Sequence, residues 1–597
     1  MKYYIVFINL VLSFFILQSC EDFLDKAPDE DLTLEDVFSN EQTTERFLAS
    51  VYYNLPWEMN FANDWGENPF VGASDEMDLP FTDIFSTWMN MGAWSADNVP
   101  QDIWDMSFRG IRKANIFIEN IEKAPINENK KKEWKGEAIF LRAFFHFQLL
   151  RIYGPMNVYE NALKPNEDFT SILSQRIPLE KCTDFIINEC DRAAEMLPIK
   201  IDPVKFNQYA GHATKAASMA LKARVLLYLA SPLWNGNPDY ANFTNKEGEN
   251  LFPKEYDENK WQKAASYTKQ AIDELESAGY GLFFSESSDP LKNYRDLFLE
   301  LHNKQILFAR NFGAFAQIEQ IAGPNGMGGW SGLCPTQGLI DAYQMADGST
   351  PITNYDNNGQ PVINPNSGYQ EKGFTTEDSP KGYYLKDILN MYANREPRFY
   401  ASITYNNSFW RTRRVDFAKD GVDGRKGGSD YTTTGYLMRK FLDEGGVNLI
   451  TGRFTNKTWI FFRLGELYLN YAEALNEAQG PIDDVYKYVD AIRNRSGLPG
   501  LPTGLSKDEM RDQIRHERRI ELAFETHRYF DCHRWKIAQV TDNGPIYGMN
   551  INASGTDFYS RTKVEDRVFE SPKHYLWPIY QNEINKAPEL FIQNPGW

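Results

Sequence analysis

Most apolar positions along the chain recur at the three- and four-residue spacing of α-helices. One face of the segment 104–121 carries Trp104, Phe108, Ile111, Asn115 and Ile118. The segment 136–153 is apolar on nearly every side, which predicts a fully buried helix. The helices predicted in this way cover residues 104–121, 136–153, 178–197, 212–230, 261–278, 464–478, 482–495 and 507–536.

Several of these helices are predicted to pack in pairs. The segment 261–278 places Ala264, Tyr267 and Ala271 before Leu275, which resembles the second helix of a tetratricopeptide repeat. Long insertions separate the pairs, so we expect about four irregular helix pairs and not a regular solenoid. The predicted fold class is mainly α: a tetratricopeptide-like helical scaffold with a loop-rich second lobe that carries little β structure.

Long polar segments lie between the helices. They are rich in Gly, Asn, Asp, Thr and Tyr and cover residues 57–101, 235–254, 313–336, 347–380 and 406–437. Segments of this length in a compact domain are usually functional or disordered. Their many aromatic residues favour ordered structure that is packed or faces a ligand.

The N-terminus carries an apolar run of signal-peptide length. After Lys2 the run covers residues 3–17 and ends in the sequence LQSC, whose cysteine is Cys20, before the acidic pair Glu21-Asp22. It is short for a membrane-spanning helix, which needs roughly 20 apolar residues. A leucine three residues before a cysteine resembles the lipobox of bacterial lipoproteins, which implies cleavage before Cys20 and a lipid on its sulfur. The other interpretation is an ordinary secretory signal that happens to contain a cysteine.

The net charge and the mean hydropathy limit the kinds of ligand and of membrane association that the sequence predicts. The 597 residues carry a net charge of −19 and have a mean hydropathy of −0.53. The negative charge repels phosphate backbones and anionic lipid headgroups, so nucleic acid is not a predicted ligand. No apolar run after Cys20 is long enough to cross a bilayer. We therefore expect a soluble body with a lipid anchor at one end.

The four cysteines other than Cys20 are predicted to be free thiols. Cys182 and Cys190 lie eight residues apart in a helical segment. That spacing is roughly 12 Å along a helix axis, too far for a disulfide. Cys334 and Cys532 are isolated in sequence, and no C-x-x-C motif occurs. Buried thiols are the simplest interpretation.

Five sequence blocks lie in order along nearly the whole chain. The first four are CEDFLDxxP at 20–28 with LEDVF at 34–38, IRxANxFIENI at 111–121, GEAxFLRAFF at 136–145 with RxYGP at 151–155, and REPRFY at 395–400. The fifth contains YAEA at 471–474, ERRxEL at 517–522, RWK at 534–536, HYLWP at 574–578 and QNPGW at 593–597. Together these blocks resemble the SusD/RagB family of bacterial surface lipoproteins. One departure is Cys532-His533, where the family pattern has apolar or small residues.

The resemblance implies a domain organisation and a location. We expect a signal peptide at 1–19, a lipidated tether at 20–40, an N-terminal helical region at 41–232 and a C-terminal region at 233–597. The C-terminal region would be loop-rich at 280–450 and helical at 457–540, with a tail at 541–597. The protein would be lipid-anchored in the outer membrane and face the cell exterior.

The resemblance also implies a function without covalent turnover. The protein would capture oligosaccharides and deliver them to a SusC-like TonB-dependent transporter. The RagB branch leaves peptides or protein fragments as the alternative ligand. No cofactor is expected.

Charged residues of the fifth block are interpreted as structural. Opposite charges at helical spacing predict a seam of ion pairs between lobes, formed by Glu517, Arg518, Arg519, Glu521 and Glu525. Further arginines predicted to be buried ion-pair partners are Arg142, Arg151 and Arg463.

Ligand contacts are predicted at aromatic rings in polar loops. The C–H face of a sugar stacks on an aromatic face, and Asn, Asp, Arg or Gln beside the ring binds hydroxyls. Segment 94–98 stands just before the first predicted helix, where the family places binding aromatics. Glycines around Trp330 leave its ring little local packing. The candidate residues are Trp65, Trp88, Trp94, Asn98, Trp330, Trp410 and Tyr294.

Catalytic and metal sites have less support in the sequence. The sequence GWSG lacks the second glycine of G-x-S-x-G, and no spacing selects the carboxylate pair of a surface glycosidase, so no enzyme is predicted. His527, Cys532 and His533 could ligate a metal, but the adjacent pair points to different helix faces. The segment 354–359 begins like a calcium loop, yet its twelfth position is Pro365 where glutamate is needed, so a turn is predicted.

Overall fold

The computed structural model describes residues 33–61, 68–162, 175–356, 359–425, 428 and 430–597. The predicted signal peptide, the predicted lipidation site Cys20 and the candidate Trp65 lie outside these residues. Within them the protein is mainly helical with small sheets, as predicted. The division into regions at 41–232 and 233–597 stays a prediction.

The α-helices of the described residues vary from single turns to 26 residues in length. They are α1 (Leu34–Val37), α2 (Glu41–Tyr52), α3 (Phe85–Asn90), α4 (Asp102–Asn120), α5 (Glu128–Tyr153), α6 (Leu179–Met196), α7 (Phe206–Tyr209), α8 (Lys215–Ala230), α9 (Asn259–Ser277), α10 (Pro290–Arg295), α11 (Ala316–Ala322), α12 (Gln337–Ala342), α13 (Pro397–Ser402), α14 (Leu464–Gln479), α15 (Asp483–Arg495), α16 (Lys507–Glu521), α17 (His527–Arg534), α18 (Ala538–Thr541) and α19 (Gln581–Lys586).

The strands of the described residues form two-stranded antiparallel sheets. They are β1 (Met77–Asp78), β2 (Ile306–Ala314), β3 (Cys334–Pro335), β4 (Ile352–Tyr355), β5 (Pro361–Ile363), β6 (Ile403–Tyr405), β7 (Phe409–Trp410), β8 (Arg413–Arg414), β9 (Tyr436–Met438), β10 (Asn456–Arg463), β11 (Gly544–Met549) and β12 (Arg561–Arg567). The pairs are β1–β3, β2–β10, β4–β5, β6–β9, β7–β8 and β11–β12. The turn predicted at 354–359 lies partly outside the described residues; within them, the N–H of Gly359 donates to the carbonyl of Asp356 at 3.0 Å.

Helix α5 lies at the centre of the N-terminal core. Every residue from 136 to 153 is buried, because α4 and α6 both pack against this helix. A Cβ at Gly110 of α4 would lie 2.4 Å from the ring of Phe145, so a larger residue there would force these helices apart. Arg142 is a buried ion-pair partner as predicted, since its Nε donates to Glu189 of α6 at 2.6 Å.

Successive helices continue this packing as irregular pairs. Helix α8 lies against α6 and α9, α9 lies against α14, and α14 lies against α15 and α16. Small side chains let α8 approach its neighbours, because its residues 216, 217, 220 and 223 are all buried alanines. The arrangement agrees with the predicted irregular helix pairs.

The predicted helix at 507–536 is wrong in one respect, because the chain breaks it into α16 and α17. Phe524 and Thr526 have φ angles of +64° and +66°, a left-handed conformation that an α-helix of L-residues cannot continue through. Glu521, at the end of α16, and Glu525, within the break, both bind the guanidinium of Arg463 at 2.8 Å. Helical periodicity alone carries no sign of this tertiary contact.

The charged residues of this region form ion pairs as predicted, but their partners come from other parts of the chain and not from helical spacing. Arg518 pairs with Asp531 and Arg519 with Asp75. Arg398 of α13 donates to Glu517 at 2.5 Å and to Glu521 at 3.2 Å. Burial alone would raise the pKa of Glu521, but nearby guanidiniums lower it to about 2. We call the group Arg398, Arg463, Arg495, Glu517, Glu521 and Glu525 the ion-pair seam.

Two further predictions can be compared with the described residues. Arg151 is a buried ion-pair partner, with its Nη2 2.6 Å from Glu58. The thiols predicted to be free and buried are so: Cys182, Cys190, Cys334 and Cys532. In the described part of the chain no helix is long and apolar enough to span a membrane.

Candidate ligand-binding surface

Trp330 lies in a loop that folds back onto α11. Its backbone N–H donates to the carbonyl of Gln320 at 2.7 Å, and the N–H of Ser331 donates to the carbonyl of Gly323 at 2.9 Å. A Cβ at Gly329 would lie 2.1 Å from that same carbonyl oxygen, so only glycine fits there. The Trp330 ring is half-buried, with part of it packed on the core and the rest accessible.

A second half-buried ring, that of Phe81, lies beside this loop. A Cβ at Gly332, two residues after Trp330, would lie 2.7 Å from the Phe81 ring. The hydroxyl of Thr87 in α3 donates to the carbonyl of Phe81 at 2.8 Å and fixes its backbone. The segment before α3 therefore meets the Trp330 loop.

A third half-buried ring, Tyr431, comes from the loop between β8 and β9. Asn325 holds this loop in place, because its Nδ2 donates to the carbonyl of Asp430 at 2.6 Å. The exposed guanidinium of Arg425 lies 4.5 Å from the centroid of the Tyr431 ring, within the range of a cation–π contact. We define the Trp330 surface as Phe81, Asn325, Trp330, Arg425 and Tyr431.

The Trp330 surface combines flat apolar rings with a polar rim. Each ring offers an accessible face or edge, and Arg425 offers hydrogen-bond donors that no carboxylate engages among the described ion pairs. Such a surface can stack on a sugar ring and bind hydroxyl or acidic groups at its margin.

Trp94 is not a surface residue, which corrects the sequence-based prediction. Its side chain is 4 % exposed. Its ring centroid lies 4.5 Å from that of Trp597, 5.7 Å from that of Phe85 and 5.9 Å from that of Trp577. The C-terminal tail covers the ring, so a sugar cannot reach either face.

Trp410 and Tyr294 are also core residues, which corrects two further predictions. Trp410 is 1 % exposed, with the guanidinium carbons of Arg411 and Arg439 at 4.8 and 4.9 Å from its ring. The hydroxyl of Tyr294 donates to the carbonyl of Glu521 at 2.8 Å. Both side chains support the fold and present nothing to a ligand.

Asn98 and Trp88 lie nearer the surface. Asn98 closes a local turn, because its Oδ1 accepts from the N–H of Ser95 at 2.6 Å and its Nδ2 donates to the carbonyl of Ala93 at 3.2 Å. Trp88 is half-buried in α3 and packs against the core. Of the described candidates, Trp330 alone belongs to the Trp330 surface.

The sequence analysis missed Phe81, Arg425 and Tyr431. The residues before Tyr431 read RKGGSD, the same glycine-rich context that drew attention to Trp330. That signal could have identified Tyr431. Nothing local distinguishes Phe81 from the many phenylalanines of the core.

A separate groove of about 570 Å³ lies between α2 and β2. Tyr53, 68 % exposed, stands in its lining together with His212 and residues 309–311 of β2. A smaller pocket of about 300 Å³ shares His212 with it. The Nδ1 of His212 lies 2.8 Å from Glu137.

Comparison with known proteins identifies the family. A sequence profile described as the SusD family matches residues 297–597, just over half of the chain. The protein belongs to the SusD family. A second profile, described as starch-binding and associating with the outer membrane, matches residues 22–227 of this SusD-family protein. The family is therefore one of carbohydrate-binding proteins associated with the outer membrane.

Individual relatives of this SusD-family protein agree along almost the entire chain. SusD-like protein P38 of Formosa agariphila is 23 % identical and aligns with 97 % of this chain and 96 % of its own length. The crystal structure of a SusD-like protein from Bacteroides fragilis has 27 % identity and a TM-score of 0.74, covering 96 % of this chain and all of the other. A second B. fragilis structure, titled a SusD-like carbohydrate-binding protein, shares the fold at 22 % identity and a TM-score of 0.71, covering 93 % of this chain and all of the other.

Proposed function

We propose that this SusD-family protein captures oligosaccharides at the Trp330 surface, on the exterior of the cell. Membership of a carbohydrate-binding family supports the ligand class. The half-buried Trp330 ring supports the choice of site. A loop that requires glycine at position 329 holds this ring beside Phe81 and Tyr431. The captured glycan would pass to a SusC-like TonB-dependent transporter, with the lipid on Cys20 anchoring the protein in the outer membrane.

Isothermal titration against a panel of oligosaccharides tests the site. Trp330→Ala and Tyr431→Ala should each weaken binding of the glycan that the wild type selects by about five- to tenfold, since a stacked ring contributes on the order of 1 kcal/mol. Phe284→Ala is the matched control, because this ring is 48 % exposed and lies outside the Trp330 surface. A glycan that binds all three variants like the wild type would place the site elsewhere.

The transporter partnership has its own test. The tagged lipoprotein, extracted from its native outer membrane in mild detergent, should copurify with a TonB-dependent barrel protein identified by mass spectrometry. A Trp330→Ala protein should retain the barrel, because one substitution in the Trp330 surface leaves the rest of the protein's exterior unchanged. Recovery of the lipoprotein without any barrel would contradict delivery through such a partner.

The groove between α2 and β2 favours peptide binding as the second candidate function. Among the described strands, β2 pairs only with β10, and residues 309–311 of β2 line the groove. An extended peptide could lie along this strand beside the exposed ring of Tyr53. Mass spectrometry of ligands that copurify with the protein would distinguish peptides from glycans. Peptide binding that Tyr53→Ala weakens and Trp330→Ala does not would favour this function.

A further inference from the structure

A buried cluster of charged residues joins the segment before α3 to α17 and α18. Asp75 is its centre. The Nε and Nη2 of Arg528 lie 2.7 and 2.8 Å from the two oxygens of Asp75, and the Nη2 of Arg519 lies 2.9 Å from one of them. None of the residues of this cluster belongs to the Trp330 surface.

Three atoms of metal-ligating type converge in this cluster. The carboxylate oxygens of Asp75 and Asp542 and the Sγ of Cys532 all lie within 4.8 Å of one another. Cys532 is fully buried, and Asp542 is 5 % exposed. Neither oxygen of Asp542 has a hydrogen-bond partner of normal geometry among the described residues. A buried carboxylate without hydrogen-bond partners is energetically costly, so another group must stabilise it.

The cluster holds more carboxyl groups than guanidinium groups. The carboxyl groups belong to Asp75, Glu76, Asp78, Asp542 and Glu565, and the guanidinium groups to Arg519, Arg528 and Arg567. Asp542 forms no ion pair among the described residues, so its oxygens are open to a cation.

A small cavity adjoins Asp542, one of the three converging side chains. It has a volume of about 20 Å³ and is lined by Asp542, His533, His574 and Trp94, among others, which is room for one water molecule. The Nε2 atoms of both histidines are buried and have no partner among the described residues. Because the Nδ1 of His574 accepts from the backbone N–H of Glu570 at 3.0 Å, its Nε2 carries the proton. The Nδ1 of His533 lies 3.2 Å from the carbonyl of Tyr575, which leaves its Nε2 as an acceptor.

We propose that Asp75, Cys532 and Asp542 bind one divalent metal ion of the Zn²⁺ class, with a water molecule in the adjoining cavity as a further ligand. A thiolate with two carboxylates suits a borderline-soft ion better than Mg²⁺ or Ca²⁺. Asp75 keeps its arginine partners and coordinates through a remaining lone pair. The ion would tie residue 75 to residues 532 and 542.

Metal analysis of the complete lipoprotein, purified in detergent without chelator, tests the proposal. We expect about one equivalent of zinc by mass spectrometry of the elements. After exchange into cobalt, a thiolate-to-cobalt absorption band should appear in the near ultraviolet. Cys532→Ser and Asp542→Asn should lose both the metal and the band, and chelator should lower the melting temperature of the wild type but not that of Cys532→Ser.

Cys190→Ser is the matched control, because Cys190 is an equally buried free thiol on α6. It should keep the metal and the cobalt band. Circular dichroism checks that each variant is folded. If Asp542→Asn does not fold, the metal content of the nearly isosteric Cys532→Ser variant tests the proposal. A wild type that takes up no metal and shows no thiolate band would overturn the proposal, because protons alone would then balance the cluster. Equal metal binding by Cys532→Ser would overturn it as well.

Discussion

At the residue scale, Trp94 links the N-terminal core to the C-terminal tail. Its ring meets Trp597 and Trp577, while the Nε1 of Trp597 donates to the carbonyls of Lys573 and Leu576 at 3.0 Å. One indole side chain therefore holds two distant segments together. Its loss would leave a cavity that neither segment can fill.

Trp94→Ala should lower the free energy of unfolding by about 3–5 kcal/mol, measured by urea denaturation. Phe284→Ala, at an exposed ring, should change it by less than about 0.5 kcal/mol. The fraction of Trp94→Ala protein that remains folded should bind glycan with wild-type affinity. Intact stability together with lost glycan binding would contradict this assignment and return Trp94 to the ligand site.

The predictions for Trp94 and Tyr294 were wrong because the residues that bury these rings lie far away along the chain. Trp94 is covered by Trp597, and Tyr294 is bonded to Glu521. A tryptophan in a polar loop gives the same local signal whether a distant segment covers it or not. The prediction for Trp330 rested on its own glycine neighbours, and this context does leave the ring half-buried.

At the element scale, the helical core could be predicted because periodicity is a local property. The predicted 178–197 and 261–278 correspond to α6 and α9 with ends shifted by one or two residues. The break between α16 and α17 could not be predicted from the sequence, because it depends on Arg463 binding Glu521 and Glu525. Loop contacts such as that of Asn325 with Asp430 are likewise invisible in the sequence.

Gly329→Ala should weaken glycan binding without unfolding the protein. The new Cβ would lie 2.1 Å from the carbonyl oxygen of Gly323, so the loop must shift and carry the Trp330 ring with it. We expect affinity to fall about tenfold in titration calorimetry, similar to the loss of a stacked ring. Gly313→Ala is the control, because a Cβ there meets nothing within 4 Å. Equal affinities of the two variants would show that the loop position is not critical.

At the scale of the whole molecule, buried ion pairs make the fold sensitive to acid. Burial would raise the pKa of Glu473, but Arg534 and Arg518 lower it to about 2, and Glu521 is lowered to about 2 by its guanidiniums. Both carboxylates stay charged in the folded protein, while in the unfolded chain they take up protons near 4.5. Their stabilisation is therefore present above that pH and is lost as the pH falls toward 2.

The free energy of unfolding should accordingly drop steeply between about pH 5 and pH 2, as followed by urea denaturation at each pH. Glu473→Gln should be destabilised by about 3–5 kcal/mol near neutral pH, because it removes one of the two carboxylates that pair with the buried Arg534 guanidinium, the other being Asp531. Its own acid dependence should be shallower than that of the wild type. Parallel curves for the two proteins would contradict the role of Glu473.

Attachment to the membrane is the remaining prediction at this scale. Cys20→Ala should abolish incorporation of labelled palmitate and remove the protein from the outer-membrane fraction, since a lipidated N-terminus is the expected anchor. Ser19→Ala keeps a small residue in the lipobox and should be processed like the wild type. Surface display of Cys20→Ala at the normal level would contradict the lipoprotein assignment.

The ion-pair seam has a consequence for how such a chain can diversify. A single substitution in it leaves the buried charges unbalanced, because its ions share partners. In the described part of the chain, the loops that carry Trp330 and Tyr431 form hydrogen bonds of their own and none with the seam. Evolution or protein engineering can therefore replace the ligand-binding loops while the helical core that contains the ion-pair seam stays unchanged.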